Sequence, residues 1–358
     1  MSHSIPACPR RLPAEWEPQD AVMLTWPRAD SDWRDELPGV EPVFAAIASA
    51  ISRHQRLIIT CQDGGHRDHI AGMLERARAH MDATQFFTAP SNDVWVRDHG
   101  PITLIEDGRP ILCDFTFNGW GGKFEAGNDN EITRRLHAQG AFGDTPLRRS
   151  DFVLEGGSLD SDGRGTLLTT TRCLLAPTRN PGWSRARIEE FLHAELGITR
   201  VLWLEHGWLA GDDTDSHIDQ LARFCDERTI AYASCEDEAD EHHPALRAMG
   251  AELAALRDAD GRPYTLVPLP LPLPKRDRDG RRLAASYANF LVINGAVLVP
   301  VYSDPADRIA LDRIAACFPG RAIIDIPCLP LISQNGSLHC ATMQIPAGVL
   351  PGMPASIP

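Results

Sequence analysis

The chain has 358 residues, of which 43% are hydrophobic and 23% are charged, and its formal net charge is −14. This length and apolar content suffice for the packed core of one large domain or of two smaller ones. The acidic charge disfavours nucleic acid and anionic membrane surfaces as partners, and it weakly favours a cationic ligand.

The cysteine pattern indicates free thiols. There are nine cysteines, an odd number, and no two are spaced as C-x-x-C. In a chain too long to need disulfides, this is typical of a reducing compartment. Residues 1–11 lack the apolar segment of a signal peptide, and no apolar run approaches membrane-spanning length. We therefore expect a cytoplasmic protein that does not enter a membrane.

The first predicted elements are a strand, a helix and a second strand. The apolar run 21–26 indicates a buried strand, and RLIITC at 56–61 indicates another. Between them, Pro42 is predicted to start a helix, because apolar residues follow it at helical spacing up to Ile51.

A hairpin is predicted next. Two β-rich runs flank the Asp-Gly turn at 106–109, which is a strong hairpin signal. The glycine-rich loop 118–123 then precedes a helix beginning near Asn130, and a short strand is predicted at 152–154. The unit is thus a hairpin, a helix and a strand.

The same order recurs along the chain. Hairpins are predicted to open near Asp98, Glu155, His217, Asn289 and Cys340. Later helices are predicted from Ser184, around Leu246 and over 307–318, with strands at 201–204, 264–267 and 322–326. The segment 267–275, in which proline and leucine alternate, is predicted to be an extended loop.

The repeat predicts a closed ring. The last unit lacks a helix, whereas the N-terminal segment supplies a strand, a helix and a strand without an opening strand, so joining the two completes a fifth unit. We therefore predict an α/β fold, a pseudo-symmetric five-bladed propeller forming one domain over residues 1–358. An ordinary doubly wound α/β sheet is the alternative.

In such a ring the opening residues point at one axis. Four of them are Asp98, Glu155, His217 and Cys340, which strand propensity does not require there. Cys340 follows a Gly/Ser turn, and a thiol so placed becomes a nucleophile once it is a thiolate. The alternative is that it is a small buried apolar residue.

His217 and Asp219 are predicted to alternate on a strand and to face the same side, as an acid/base pair would. A hydrogen-bonded surface histidine is the alternative.

The acidic candidates also have structural alternatives. Asp98 could form a salt bridge with adjacent Arg97, and Glu155 could cap a turn. The acidic run 212–215 would attract a cation beside a site, or it could be a solvated loop.

Metal and cofactor signals are weak. Histidine and carboxylate pairs such as His66 and His69 have no third ligand at a standard spacing, and neither a P-loop nor G-x-G-x-x-G occurs. We expect no metal and no cofactor. Trp95 and Trp120 are either core residues or flank an aliphatic or cationic ligand.

Seven segments together resemble the agmatine deiminases, in the peptidylarginine-deiminase-like branch of the guanidine-modifying (pentein-type) enzymes. They cover nearly the whole chain in family order: LPAEWEPQD (12–20), DVWVRDHGP (93–101), FNGWGGK (117–123), LEGGS (154–158), GDDTDSHID (211–219), RLAASYANF (282–290) and NGSLHC (335–340). One departure lies in 334–338, where the family often carries a G-G-G-N-I-H-C type stretch.

The resemblance implies the five-bladed propeller and hydrolysis of agmatine to N-carbamoylputrescine and ammonia, a step toward putrescine, through a covalent amidino-cysteine. It implies Cys340 as nucleophile, His217 as general acid/base, and Asp98 and Asp219 as guanidinium-binding carboxylates. It implies that Glu155 supports the histidine and the substrate. It also implies that Asp213 contacts the substrate.

Other readings stay open at this point. They are hydrolysis of another guanidine, such as free arginine or peptidyl-arginine, Cys–His acyl transfer, and a binding module without activity. A homodimer is the base-rate expectation.

Overall fold

Each of the five sheets in the computed structural model, which describes residues 10–351, contains an antiparallel strand pair extended by a parallel strand. The strands are β1 (Arg10–Arg11), β2 (Gln19–Thr25), β3 (Arg56–Cys61), β4 (Thr84–Thr88), β5 (Ile102–Glu106), β6 (Arg109–Thr116), β7 (Leu147–Val153), β8 (Asp160–Ser161), β9 (Thr166–Thr170), β10 (Arg200–Leu204), β11 (Ala222–Asp226), β12 (Thr229–Ser234), β13 (Thr265–Pro270), β14 (Leu291–Ile293), β15 (Ala296–Val301), β16 (Ala322–Pro327) and β17 (Met343–Pro346).

The sheet orders are β1-β5-β6-β7, β10-β9-β8, β11-β12-β13, β14-β15-β16 and β17-β2-β3-β4. The helices are α1 (Leu37–Ser52), α2 (Gly64–Arg76), α3 (Val96–His99), α4 (Gly119–Gly122), α5 (Asp129–Ala138), α6 (Thr171–Leu174), α7 (Arg185–Leu196), α8 (His243–Ala255) and α9 (Ala306–Cys317). Single 3-10 turns lie at Met81–Ala83, Gly156–Ser158, Ile218–Gln220 and Leu331–Gln334.

The predicted order of hairpin, helix and parallel strand recurs in every sheet. α5, α7, α8 and α9 each connect the second strand of a hairpin to its parallel neighbour, and α1 does so between β2 and β3. β17 pairs antiparallel with β2, with Met343 opposite Met23. The C-terminal strand therefore completes the N-terminal sheet, as the sequence pattern predicted.

Four of the five connecting helices also contact a neighbouring sheet. On α1, Val40, Phe44, Ile47 and Ile51 are buried at spacings of three and four residues. α1 packs on β3 and also on β16 of the β14-β15-β16 sheet. α9 likewise contacts β13, α8 contacts β10, and α7 contacts β1. Burial of apolar stripes between sheets therefore contributes to the core.

The start predicted for the first helix is wrong. α1 begins at Leu37, with Pro38 in its first turn and Pro42 inside. Glu36 already accepts from the backbone N–H of Val40 at 2.9 Å, so the helix is established before Pro42, which only removes one further hydrogen bond.

Three further elements, α2, β4 and β13, differ from the sequence predictions. α2 and β4 were not predicted; α2 buries only Ile70 and Leu74, which is too sparse for a periodic signal. The proline–leucine segment is partly strand, because β13 includes Pro268 and Pro270. β13 pairs only with β12, and an edge strand tolerates prolines, which cannot donate to a second neighbour.

Within residues 10–351 no helix combines the length and the apolar character needed to span a bilayer. Cys8 and most of the segment tested for a signal peptide lie outside the described residues.

Candidate active site

The candidate residues lie in the turns that precede the hairpin strands. Asp98 is in α3, Glu155 precedes the 3-10 turn Gly156–Ser158, and Cys340 lies in the turn before β17. His217 and Asp219 belong to the turn before β11, so the prediction that they alternate on a strand is wrong. The turn forms because the N–H of Leu221 donates to the carbonyl of Ile218 at 2.9 Å.

Gly157 lies where these turns meet. A Cβ atom there would be 2.6 Å from Nδ1 of His217, 2.7 Å from Oδ1 of Asp98 and 3.2 Å from Oδ2 of Asp219. Only a residue without a side chain leaves the three groups this close. The structure also brings Cys340 to this point, since its Sγ is 3.7 Å from Oδ2 of Asp219, a residue 121 positions away in the chain.

Cys340 is a buried thiol among polar groups. Asn289 donates from Nδ2 to its Sγ at 3.3 Å, and Gln220 donates from Nε2 at 3.8 Å. Burial, followed by the negative charges of Asp219 and Asp98, raises the pKa of this thiol well above its ordinary value. The isolated site therefore holds Cys340 as a thiol, and a cation placed between the carboxylates would favour the thiolate.

His217 is buried between two carboxylates. Its Nε2 is 3.3 Å from Oε2 of Glu155 and its Nδ1 is 3.6 Å from Oδ1 of Asp98. Burial alone would lower the pKa of His217, but the charge of Asp98 and the contacts with Cys173 and Glu155 outweigh it and raise this pKa well above the ordinary value. His217 is therefore an imidazolium at neutral pH, and the surface-histidine alternative is wrong.

Glu155 is anchored by a buried ion pair. Nε of Arg179 donates to both carboxylate oxygens of Glu155, at 2.7 and 3.0 Å, and both side chains are almost fully buried. Burial opposes ionisation of Glu155, but the hydrogen bonds from His217 and Arg179 lower its pKa below the ordinary value. Glu155 is thus ionised at neutral pH and contacts His217.

The backbone before His217 is strained. Asp215 and Ser216 have φ angles of 66° and 67°, a left-handed conformation that costs roughly 1–2 kcal/mol for each such residue. Arg179 holds the turn by donating to Oδ2 of Asp215 at 2.6 Å, while Asp212 accepts from the N–H of Ser216 at 2.7 Å. The acidic run 212–215 is therefore held in the site by hydrogen bonds and is not a solvated loop.

Asp98 faces the substrate side of the site. Its Oδ2 accepts from Nε1 of Trp120 at 2.9 Å and its Oδ1 from the N–H of Gly157, also at 2.9 Å. Burial raises the pKa of Asp98 to about 6, in spite of the nearby His217 charge. Among the described residues the ion-pair partner of Arg97 is Glu15, so the predicted alternative of an Arg97–Asp98 bridge does not form.

A pocket of about 420 Å³ opens onto Cys340 and Asp98. Trp95 and Trp120 form part of its wall and are also buried, so both tryptophans belong to the core and line the pocket. Asp213 lines the pocket, and its Oδ2 accepts from Nδ2 of Asn335 at 2.8 Å. The side chains around this pocket include four aspartates and neither lysine nor arginine: Asp32, Asp93, Trp95, Asp98, Trp120, Phe124, Asp213, Thr214, Gln334, Asn335, Gly336 and Cys340.

The sequence analysis assigned no role to four residues that contact the predicted site residues. They are Arg179, Gln220, His339 and Asn289, the last through its side-chain amide. Asn289 stands at the fourth of the five predicted hairpin starts, so the repeat itself carried the signal for it. Gln220 has no local signal, because its partner Cys340 lies in another repeat, and Arg179 has none because it contacts Glu155 from a loop 24 residues away.

One set of groups in the described part of the chain has the spacing of a metal site. Ligand atoms of Glu155, Cys173 and His217 lie within 4.8 Å of one another. However, Glu155 already pairs with the guanidinium of Arg179, and His217 is cationic. These positive groups oppose a metal cation, so the donor set fits a proton-bonded network better than a metal.

The chain is similar to known proteins over most of its length. Residues 11–346 match the model of the Porphyromonas-type peptidyl-arginine deiminase family. Agmatine deiminase of Pseudomonas aeruginosa (strain LESB58) is 34% identical over 94% of this chain and 95% of its own length.

Two solved structures are similar over nearly the whole chain. One, from Porphyromonas gingivalis and presented as a candidate arginine deiminase, is 53% identical with a TM-score of 0.90, covering 96% of this chain and all of its own. A Cys-to-Ser variant of C. jejuni agmatine deiminase with substrate bound is 36% identical with a TM-score of 0.88, covering 95% and 97%. The mixed α/β fold is thus shared with agmatine deiminases, and the chain belongs to the Porphyromonas-type peptidyl-arginine deiminase family.

Proposed function

We propose that this chain hydrolyses agmatine to N-carbamoylputrescine and ammonia, a step toward putrescine. The observation that carries the proposal is the pocket, which is lined by the Cys340 thiol and by the carboxylates of Asp98 and Asp213. Agmatine is a dication with a guanidinium at one end and an amine at the other. The similarity to curated agmatine deiminases over most of the chain supports the assignment.

Asp98 and Asp219 would hold the guanidinium. A planar guanidinium presents paired N–H groups that fit carboxylate oxygens, and such charge-assisted bonds fix its orientation. Oδ1 of Asp219 is buried and has no hydrogen-bond partner among the described residues. This oxygen is therefore available to a substrate N–H without loss of an existing bond.

The bound cation would also activate the nucleophile. Because Asp219 and Asp98 raise the pKa of Cys340, the thiol releases its proton to solvent readily only when the guanidinium offsets their charge. The thiolate then attacks the central guanidinium carbon, which forms the C–S bond and a tetrahedral adduct.

His217 would serve as acid and then as base. The imidazolium protonates the departing nitrogen, the C–N bond breaks, and ammonia leaves an amidino-cysteine intermediate. The neutral imidazole then takes a proton from water as its oxygen attacks the same carbon. Cleavage of the C–S bond releases the urea product, N-carbamoylputrescine, and restores Cys340.

Free arginine is the second candidate, because the P. gingivalis structure presented as a candidate arginine deiminase is 53% identical to this chain. Arginine carries an α-carboxylate that needs a cationic partner. The wall of the pocket offers four aspartates and no lysine or arginine, so an unmodified α-carboxylate would be repelled. This electrostatic difference favours agmatine.

The test is ammonia release from agmatine, arginine and an arginyl peptide in parallel, with EDTA present. We expect release from agmatine at a rate well above that of the other two, unaffected by EDTA. Release only from arginine or the peptide would retain the Cys340 chemistry and overturn the substrate. Absence of release from all three would overturn the proposal.

We further infer that the five sheets are the blades of one propeller domain. In support, four connecting helices, α1, α9, α8 and α7, contact successive neighbouring sheets, and β17 joins β2. The acidic chain and small pocket favour a small cationic partner over nucleic acid or membrane. Cytoplasmic localisation and a homodimer stay predictions.

A further inference from the structure

His339, the residue before the nucleophile, lies between two carboxylates. Its Nδ1 is 2.8 Å from Oδ2 of Asp219, and its Nε2 is 2.7 Å from Oε2 of Glu15. The imidazole is 2% exposed. Glu15 belongs to the N-terminal segment, and Asp219 touches Cys340, so His339 connects the two across the layer of turns that forms the site.

The two contacts require two protons. Ionised carboxylates only accept hydrogen bonds, and each contact has the length of a strong N–H···O bond. A neutral imidazole has one N–H and would leave the other contact as two facing lone pairs. The Asp219–His339–Glu15 chain therefore holds one proton more than a neutral imidazole between two carboxylates.

The far end of this chain is firmly held. Oε2 of Glu15 also accepts from Nη2 of Arg223 at 2.7 Å, and Oε1 accepts from the N–H of Val292 at 2.7 Å. Arg223 is buried in turn against Asp160 and donates to the carbonyl of Phe290 at 2.9 Å. Because these hydrogen bonds hold Glu15 in place, rotation of the His339 ring would break the hydrogen bonds at both of its nitrogens.

The near end is the carboxylate that the proposed reaction needs. Asp219 uses Oδ2 for His339 and keeps Oδ1 unpartnered among the described residues. Loss of the His339 contact would leave the carboxylate free to turn toward other donors. A displacement of about 1 Å at such a group can cost roughly 100-fold in rate.

We propose that His339 is a positioning residue that fixes Asp219 for guanidinium binding, through a doubly protonated ring clamped by Glu15. The proposal rests on the proposed function for its kinetic consequence, but not for its protonation state. The cavity behind His339, of about 690 Å³ and lined by Glu15 and Arg97, shares no lining residue with the substrate pocket. His339 thus acts through Asp219, without touching substrate.

Opposing charges surround the ring on every side. Burial, together with the guanidinium groups of Arg223 and Arg97, works against a charged ring and lowers the pKa of His339, while Glu15 and Asp219 work for it. Cys340, on the same turn as His339, lies with its Sγ 3.7 Å from Oδ2 of Asp219. The two short contacts of His339 with carboxylates decide between these opposing charges, because each contact needs one N–H group. They favour a ring with protons on both nitrogens.

The first test is nitrogen-15 NMR of the histidine-labelled enzyme at neutral pH. We expect His339 to show protons on both Nδ1 and Nε2, with its signal assigned by its absence in His339→Gln. A ring with one protonated nitrogen would overturn the proposal. This readout needs no turnover, so its failure is distinct from failure of the agmatine assignment.

The second test is the pH profile of kcat/KM for agmatine. In His339→Gln we expect kcat/KM to fall by about 100-fold. We also expect the acidic limb of the profile, where kcat/KM falls as pH is lowered, to move to higher pH, because Asp219 loses a donor that stabilises its ionised form and is then protonated together with Asp98. His242→Gln is the matched control, since His242 is equally buried, accepts from the N–H of Ala210 at 2.8 Å, and lines neither the substrate pocket nor the cavity behind His339.

If the role of His339 is purely structural, His339→Gln should behave like the control variant His242→Gln. Both variants would then lose thermal stability while the acidic limb stays in place, and the proposal would be overturned. Glu15→Gln separates the two further: we expect it to shift the limb in the same direction, with little additional shift in the double variant, because both act on one chain.

Discussion

The indole nitrogen of Trp120 donates to Oδ2 of Asp98 across 2.9 Å, although Trp120 has the left-handed φ of 55° within its glycine-rich loop. This bond ties the loop 118–123 to the carboxylate proposed to bind the guanidinium. It also favours the ionised form of Asp98, against the burial that raises its pKa to about 6.

The first prediction concerns this carboxylate and pH. Because the folded pKa of Asp98 is raised, its ionised form is lost as pH falls through about 6, and kcat/KM for agmatine should fall with it. Trp120→Phe removes the donor, so the acidic limb should move to higher pH. Trp183→Phe, in an aromatic cluster with Phe152 and Phe191, is the control and should leave the limb in place.

The second prediction concerns the nucleophile. Cys340→Ser should lower kcat by a factor on the order of 10⁵, because a serine hydroxyl in this buried site is not ionised. Agmatine should still bind, as measured by calorimetry, since Asp98, Asp219 and Asp213 are intact. Cys235→Ser, which changes a partly exposed thiol, should keep the native rate. Near-native turnover by Cys340→Ser would show that the thiol is not the nucleophile.

The third prediction concerns the wall of the pocket. Asp213→Asn should raise KM for agmatine by about 5-fold with little change in kcat, since about 1 kcal/mol of charge attraction is lost far from the reacting carbon. Steady-state kinetics will show whether the change is in KM. Asp35→Asn removes an exposed carboxylate that is not part of the pocket wall, and it controls for the change in net charge. An equal effect of the two variants would contradict a direct contact.

The fourth prediction concerns the space at Gly157. A Cβ there would lie 2.6 Å from Nδ1 of His217 and 2.7 Å from Oδ1 of Asp98, so Gly157→Ala should displace both groups. We expect kcat/KM to fall by about 100-fold or more. Gly127→Ala is the matched control, because a Cβ at Gly127 meets no atom within 4 Å. Equal kinetics for the two alanine variants would mean that the turns relax freely.

The fifth prediction concerns the buried Glu155–Arg179 pair. Glu155→Gln leaves the Arg179 charge without its buried partner, so the free energy of unfolding should fall by about 3–5 kcal/mol in urea titrations. Because the folded pKa of Glu155 is lowered, this difference is fully present above the ordinary glutamate pKa and should shrink as pH falls through the folded value. The pKa of His217 should also fall, which would move the alkaline limb of activity to lower pH. A variant as stable as the parent would contradict the role of this pair.

Local chemistry made much of the fold predictable. Asp-Gly and Asn-Gly turns fixed the hairpins β5–β6 and β14–β15, and Ser184 correctly marked the start of α7, where its hydroxyl caps the N–H of Arg187. The starts of the repeats also identified Asp98, Glu155, His217 and Cys340 as neighbours. Their catalytic roles stay predictions.

What could not be predicted depends on contacts between residues that are distant in sequence. Arg179 reaches Glu155 from a loop 24 residues away, and His339 reaches Glu15 across 324 residues. No local pattern specifies such partners, because each side chain is compatible with a solvated loop on its own. The turn at 218–220 was mistaken for strand because the order His217, Ile218, Asp219 alternates polar and apolar residues.

The pairing of β17 with β2 has a consequence for synthesis of the protein. β2 is made early, but its partner and the nucleophile are made more than 300 residues later, so a nascent chain has an unpaired strand edge and no thiol at the site. Until residue 346 has been translated, this edge is open to wrong partners, including the same strand of a neighbouring chain. Completion of this sheet and appearance of activity should therefore both depend on the pairing of β17 with β2.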